Sequence, residues 1–408
     1  MGTNILEMAA TRESWLAFLN EKKERQHLGR REEEQIRDFI AREGYLPLVR
    51  ACREGAFPSG PPHRRTVNKE GSSKARVVYT YPGDEGIFLK FIAHGLNRYE
   101  DILADNCYAF RCRVGVKEAV RRLQTDRRAR EGWCLKIDIR NYFNSIDVAL
   151  LLPMLDFLRG EDPEVHGLLT RLLSQEFVLV EGKPVRESHG AMAGMPLSPF
   201  LANLYLSGID RFYEKEGALY LRYSDDILLF ARDREELLRQ KDRLYGMLAA
   251  LGLSVNSDKV SVTGPGEGFD FLGFAFRQGE IDLSANTLRK AKAKIRRKSD
   301  ALRRWQRKKG LDPQKAAVGL IHAMNRKFYG WGDPLEEDGQ EDAFTWSRWF
   351  FPLLTTDRGL REIDSFFREY IRYAVTGRHY KGNYRIAHEQ LRQWGYVSLV
   401  HAYYRARR

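Results

Sequence analysis

Cysteine is scarce. Cys52, Cys107, Cys112 and Cys134 are the only four in 408 residues, and they neither pair as Cys-x-x-Cys nor neighbour histidines, which argues against a zinc site or a disulfide framework. They read as reduced, mostly packed thiols. Missing too is any apolar run near the roughly 20 residues that a membrane span needs. The opening Met1–Glu13 has no basic stretch leading into an apolar one, as a signal peptide would, and Leu6 stands where N-myristoylation wants Ser or Thr. A cytoplasmic protein with no membrane partner is expected. Internal repeats are absent, and acidic residues are in deficit: 55 Asp and Glu against 68 Lys and Arg leave a formal charge of +13 and a pI near 9.5. Such a surplus points to a polyanionic partner, of which nucleic acid is the commonest. The length calls for two or three subdomains, with ample apolar content for a core.

Helical spacing governs residues 1 to about 55, through Trp15, Leu16, Phe18 and Leu19 and then Ile36, Phe39 and Ile40. A Pro/Gly break at Phe57–Pro62 precedes a basic hairpin from Arg64 to Tyr79. Helix is expected again from Phe88 to Leu103 and over 148–175, and a short hairpin over Phe177–Val185. The loop Gly190–Pro199 must end in a helix, for which Ser198 suits the N-cap and Pro199 the first position. A helix over 234–251, stopped by Gly252, leads to two strands, Ser254–Val262 and Phe269–Phe276. From Leu288 to Lys309 a dozen cations face one acid, Asp300. The pattern is a polycationic helix, read as either a phosphate footprint or a solvated face. An acidic loop, Asp333–Asp342, precedes an aromatic-rich helical tail, whose basic aromatic loop Arg378–Arg385 is either a nucleic-acid clamp or a plain connection.

The chemistry lies in carboxylates. Tyr223-Ser224-Asp225-Asp226 sits between the apolar runs Leu219–Leu221 and Ile227–Phe230, at a hairpin tip. Taken alone it reads as a solvated turn holding two aspartates. Upstream, the strand Trp133–Ile139 points Leu135, Ile137 and Ile139 one way and Asp138 the other, offering a third carboxylate at a strand end. Carboxylates that meet in space are what two-metal phosphoryl transfer requires, and Mg²⁺ prefers few of them, completed by waters and substrate phosphates.

Lys136–Asp147, Gly194–Asn203 and Tyr223–Asp226, in that order, resemble the motifs of bacterial reverse transcriptases, the lineage of group II intron, retron and defence-associated enzymes. Gly252–Lys259 resembles the next motif and Phe269–Phe274 the primer grip, so that the likeness covers about residues 60–330. It implies an α+β right-hand polymerase: N-terminal helices and fingers over 1–130, a palm with an antiparallel sheet over 131–283 carrying a finger insertion near 148–189, a helical thumb over 284–330, and a helical C-terminal extension over 331–408. It implies two Mg²⁺ ions, replaceable by Mn²⁺, held by Asp138, Ile139, Asp225 and Asp226, with Lys259 protonating pyrophosphate. A dNTP would meet Lys74, Arg76, Arg140, Tyr142, Phe143, Gly194, Pro196, Ser198 and Asn203, Phe143 blocking a 2′-hydroxyl. Phe271, Leu272 and Gly273 would hold the primer end, and Arg289, Lys292, Arg296, Arg297 and Arg304 the nucleic acid.

The resemblance also implies an RNA template, in the form of a structured noncoding RNA, and a DNA product. Ala193 departs from the family's usual glutamine before the loop glycine. The retron elements are only partly matched, and the paired cysteines and histidines of mobile introns are missing. Leu360-Arg361-Glu362-Ile363-Asp364 is of the type found in compact antiphage-defence enzymes. The implied function is thus RNA-templated DNA synthesis in defence. A retron or intron-derived enzyme, or an inactive nucleic-acid-binding scaffold of the same fold, is the alternative.

Overall fold

A computed structural model describes residues 3–25, 28–68, 75–330 and 345–407. The acidic loop and Lys74 lie outside the described residues. The chain forms two compact units, residues 1–24 with 28–265, and residues 25–27 with 266–408.

In the first unit, helices Ile5–Ala9, Arg12–Arg25, Arg30–Ala41 and Tyr45–Arg53 gather around Trp15, whose ring stacks on Phe91 at 4.3 Å and on Tyr45 at 5.7 Å. Ile36, Phe39 and Ile40 form the buried stripe of the third helix. Leu16, counted above with the apolar face, is 43% exposed, because one residue of helix turns it about 100° from Trp15. The basic hairpin is present: strands β1 (His63–Asn68) and β2 (Ala75–Thr80) pair antiparallel from His63 opposite Thr80. A second hairpin, β4 (Phe177–Val180) and β5 (Lys183–Arg186), joins it by a parallel contact, giving the order β2-β1-β4-β5. Between them, residues 148–173 form four short helical pieces rather than one helix. Pro153 and Pro163 each sit in the first turn of a new piece, where a missing N–H costs nothing.

The sheet that carries the carboxylates has the order β6-β7-β3-β8 and is antiparallel throughout. Here β3 is Trp133–Asp138, β6 is Tyr220–Tyr223, β7 is Asp226–Ala231 and β8 is Ser261–Thr263. Buried Leu135, Ile137, Ile227 and Leu229 line its core side. Of the strand expected over 254–262 only β8 forms. Val255 makes a lone bridge to Ile139, and Ser257–Lys259 turns as a 3-10 helix.

The second unit opens with β9 (Phe269–Phe271), β10 (Phe274–Arg277) and β11 (Glu280–Leu283), in the order β11-β10-β9. Residues 269–276 are therefore a hairpin, not one strand, folded at Leu272 (φ 52°) and Gly273 (φ 90°). Such positive angles suit a two-residue turn. Helices Ala285–Lys309, Pro313–Tyr329 and Arg358–Thr376 pack against one another, and Phe328 of the second meets Trp346 at 5.3 Å and Phe367 of the third at 5.9 Å. Each fully buried large apolar side chain contributes roughly 1.5–3 kcal/mol. The carboxylate of Asp364 is 2% exposed and accepts four hydrogen bonds, from Tyr396 Oη (3.0 Å), Ser398 Oγ (2.6 Å) and the N–H groups of Leu399 (2.8 Å) and Val400 (3.1 Å). The last helix, Leu399–Arg405, is anchored there by its free N–H groups.

Candidate active site

Antiparallel pairing sets Asp138 directly opposite Asp226 at the end of β3 and β7. Asp225 stands in the two-residue turn between β6 and β7, where Ser224 takes φ 60°, and its carbonyl accepts the N–H of Ile139 at 3.0 Å. One edge of the sheet thus presents all three acidic residues. Burial, and then the like charge of Asp138, push the Asp225 carboxyl above the ordinary carboxylate range. Burial raises Asp226 as well, with Asp225 and Asp138 adding to it against the pull of Lys136. The ammonium of Lys259 lies 2.6 Å from Asp138 Oδ1, and Asn256 Nδ2 donates to the same oxygen at 3.3 Å. Arg76, on β2, is near enough to act on Asp225 electrostatically.

Among the described residues no group of three or more His, Cys, Asp or Glu side chains forms a metal cage. Mg²⁺, however, binds through one or two carboxylates, waters and substrate phosphates rather than an all-protein cage. Hard carboxylate oxygens at one end of the sheet, two of the carboxyls half-buried and crowded by like charge, fit a divalent cation that would offset that repulsion.

The Gly190–Pro199 loop is held between the helical turn Tyr142–Ser145, which follows β3, and the basic hairpin. Ala191 N–H donates to the Phe143 carbonyl (2.9 Å), Tyr79 N–H to the Ala193 carbonyl (2.8 Å) and Asn144 accepts from Ala193 N–H (3.1 Å). A side chain at Gly194 (φ 97°) would meet Val78 Cβ at 2.9 Å, so only glycine permits the approach. Ala193, which departs from the usual glutamine, serves here through its backbone. Ser198 is not the helix cap: the helix runs Ser198–Lys215 with Leu197 before it, and the Ser198 hydroxyl donates to the Met192 carbonyl at 2.5 Å. Closing the loop is worth more to that hydroxyl than one end N–H.

Several of the residues expected to line a nucleotide are instead buried. Tyr142 is 2% exposed, with its hydroxyl bonded to the Ala202 carbonyl. Ser198 and Asn203 are each 1% exposed. Asn203 donates to the Ala109 carbonyl (2.7 Å) and accepts from Arg222 (3.1 Å). Arg140, Pro196 and Phe143 retain access. Phe143 meets Phe110 edge-on at 6.1 Å, and Phe110 lies 6.4 Å from Tyr223.

Sequence reasoning missed Phe110, which is 46% exposed with φ 56°; no local pattern marks it. It missed also the fully buried pair Arg222 and Asp210. Arg222 donates from Nε to Asp210 Oδ1 (2.8 Å), from Nη1 to the Ser224 carbonyl (3.3 Å) and from Nη2 to Cys107 Sγ (3.1 Å). A charge between Leu221 and Tyr223 in an otherwise apolar strand was the available signal.

The remaining candidates belong to the second unit. Phe271 is a core residue, 1% exposed, and not a surface grip. Gly273 offers its carbonyl to Ser284 N–H (2.9 Å) and Thr287 Oγ1 (2.8 Å), leaving Leu272 at the turn. On the polycationic helix, Lys292 pairs with Glu362 at 2.6 Å and Arg296 Nε donates to Tyr370 Oη at 2.9 Å. These two cations join helices. Arg289 and Arg304 are exposed, and Arg297 is partnered.

Residues 67–276, just over half of the chain, match the reverse transcriptase (RNA-dependent DNA polymerase) family. The chain is 26% identical to the retron Ec86 reverse transcriptase of Escherichia coli over 165 residues, covering 40% of this chain and 48% of that protein. Against the group II intron-encoded protein LtrA of Lactococcus lactis subsp. cremoris it is 24% identical over 180 residues, covering 43% and 29%. The chain thus spans less than half the length of these relatives. A solved apo telomerase from Candida tropicalis, truncated from its C-terminal domain, resembles it at a TM-score of 0.45 and 13% identity, over 55% of this chain and 56% of that one. No described helix is long and apolar enough to cross a membrane. The match runs through the Asp138, Gly194 and Asp225 segments alike, and the chain belongs to the reverse transcriptase (RNA-dependent DNA polymerase) family, with its right-hand polymerase fold of mixed helices and sheets.

Proposed function

We propose that this chain is an RNA-templated DNA polymerase that adds dNTPs to a primer. The observation that carries the reading is the gathering of Asp138, Asp225 and Asp226 at one sheet edge, in register across β3 and β7. Asp138, the Ile139 carbonyl, Asp225 and Asp226 would hold two Mg²⁺ ions, with Mn²⁺ as a substitute. When bound, these ions supply Lewis-acid stabilisation of the attacking and leaving oxygens. Arg76 and Arg140 would pair with the triphosphate, guanidinium being suited to bidentate phosphate contacts. Lys259, half exposed, would carry the proton for departing pyrophosphate. Tyr142, Ser198 and Asn203 would position the pocket from behind.

The test is primer extension by the purified protein on an RNA template annealed to a DNA primer. Template-directed products are expected, and nucleic-acid binding without extension would leave the scaffold reading in its place.

Phe143, half-buried against Phe110, would close the space a 2′-hydroxyl needs. Phe143→Ala is expected to raise the rNTP-to-dNTP ratio of kcat/KM by about 10- to 100-fold, measured by single-nucleotide insertion. An unchanged ratio would remove the gate role.

A structured noncoding RNA in the cytoplasm is the proposed template, supported by the basic charge. The defence setting is proposed on the Leu360–Asp364 segment, and phage challenge of cells with and without the protein tests it.

A further inference from the structure

We propose that the second unit carries a stacking platform for an unpaired nucleic-acid strand, built on Tyr380 and Tyr384 in the loop after the Arg358–Thr376 helix. The loop lies outside the segment matched to the family, and nothing in it depends on polymerase chemistry.

Single exposed aromatics are ordinary on protein surfaces. Here Tyr380 is 55% and Tyr384 75% exposed within five residues of each other, and three cations, Arg378, Lys381 and Arg385, lie exposed among and beside them. The Arg372 guanidinium lies 5.3 Å from the centre of the Tyr384 ring, which covers one face and leaves the other to solvent. Tyr380 lies so close over Gly382 that a Cβ there would meet its ring at 2.2 Å.

The loop is braced. Asn383, 5% exposed, donates from Nδ2 to the Arg378 carbonyl (2.7 Å) and from its N–H to the Tyr380 carbonyl (3.0 Å), and Arg372 Nε donates to the Ile386 carbonyl (3.0 Å). His379 stacks on Tyr373 at 4.3 Å and 4° and pairs with Glu369 at 2.7 Å. A fixed pair of rings loses little freedom on binding. At the base of the loop, a Cβ on Gly377 would meet Arg303 Nη2 at 2.0 Å and Arg307 Nη2 at 3.5 Å, so the end of the polycationic helix adds its charge to the same surface.

Cations alone would accept any polyanion. Exposed rings set among them match alternating bases and phosphates, and a ring can stack only on a base that is not already paired. Single-stranded RNA and single-stranded DNA share this chemistry.

The test uses the full chain, saturated with a primer–template duplex so that the polymerase channel is filled. Labelled oligonucleotides of one sequence, as RNA, DNA or duplex, are titrated by fluorescence anisotropy at fixed salt. Tyr380→Ala/Tyr384→Ala is expected to weaken single-strand binding about tenfold or more. Tyr380→Phe/Tyr384→Phe keeps the affinity, which separates stacking from hydroxyl contacts, and thermal melts confirm that both variants fold. A loss on RNA alone, or on RNA and DNA alike, supports the platform and identifies its strand. Equal losses on duplex and single strand overturn it, as does unchanged single-strand affinity or competition by polyglutamate as effective as by oligonucleotide. Primer extension by the alanine variant on saturating primer–template is expected to stay within about twofold, so that a failure of the polymerase reading shows separately.

Discussion

Asp225→Asn is expected to lower the rate of primer extension about 10³-fold while making the metal-free protein more resistant to heat. On the proposed reading, the loss follows from removing one anionic ligand for cations that would stabilise the transferring phosphoryl group by several kcal/mol, each 1.36 kcal/mol being a factor of ten. The gain follows from linkage. The folded-state pKa of Asp225 lies above its unfolded value because burial and Asp138 disfavour the charge. Between those two values the folded state binds more protons, so this group's contribution to stability falls as pH rises and is unfavourable at neutrality. Asparagine keeps the shape and removes that charge. Calorimetry without divalent cations reads the second effect and extension with Mg²⁺ the first. A variant that still extends, or that melts earlier than the unaltered protein, would refute the assignment. Without cations, Asp225 and Asp226 hold their protons above the ordinary carboxylate range. Protons and divalent cations would compete for these oxygens, so the acid limb of the activity profile should move to lower pH as Mg²⁺ is raised.

The second large effect is at Arg222. Arg222→Met leaves the Asp210 carboxylate fully buried with, among the described residues, only Tyr220 Oη, at 3.0 Å, left to bond it. Breaking such a pair costs about 3–5 kcal/mol, a large part of the roughly 5–15 kcal/mol that holds a domain together. Adding Asp210→Leu should return most of that stability, since an apolar pair of similar volume is often neutral. Activity should not return with it. Arg222 also holds the Ser224 carbonyl and Asn203, which place the Asp225 turn and, through Ala109, the Phe110 ring. The double variant is therefore expected to melt near the unaltered protein and extend primers about tenfold more slowly, with the loss in kcat rather than KM. Full activity in the double variant would make the pair structural only.

The contrast between Asp225 and Arg222 shows what was legible in the sequence. The Tyr220–Ala231 hairpin declared itself because polar turn residues interrupt two apolar runs, and Asp138 because a strand alternation isolates it. Both are local patterns, and the pairing register then brings the three aspartates to one edge. Arg222 meets Asp210, Asn203 and Cys107 only through tertiary packing, which no spacing announces. Ser198 satisfied every cap rule, yet the closing loop supplied a competing acceptor in Met192. The turn at Leu272-Gly273 was hidden because leucine is a poor turn residue, held at positive φ by the contacts of its neighbour with Ser284 and Thr287. Lys292 and Arg296 carry the charge of a phosphate footprint, but Glu362 and Tyr370 reach them first.

Asp364 gathers the start of the final helix onto one carboxylate. An internal cut ahead of Tyr396 would therefore strip all four donors at a stroke, strand an anion in the core, and take with it the buried Tyr403, whose hydroxyl donates to the Leu354 carbonyl at 3.0 Å. What such a cleavage costs is thus set by one aspartate more than thirty residues upstream of it.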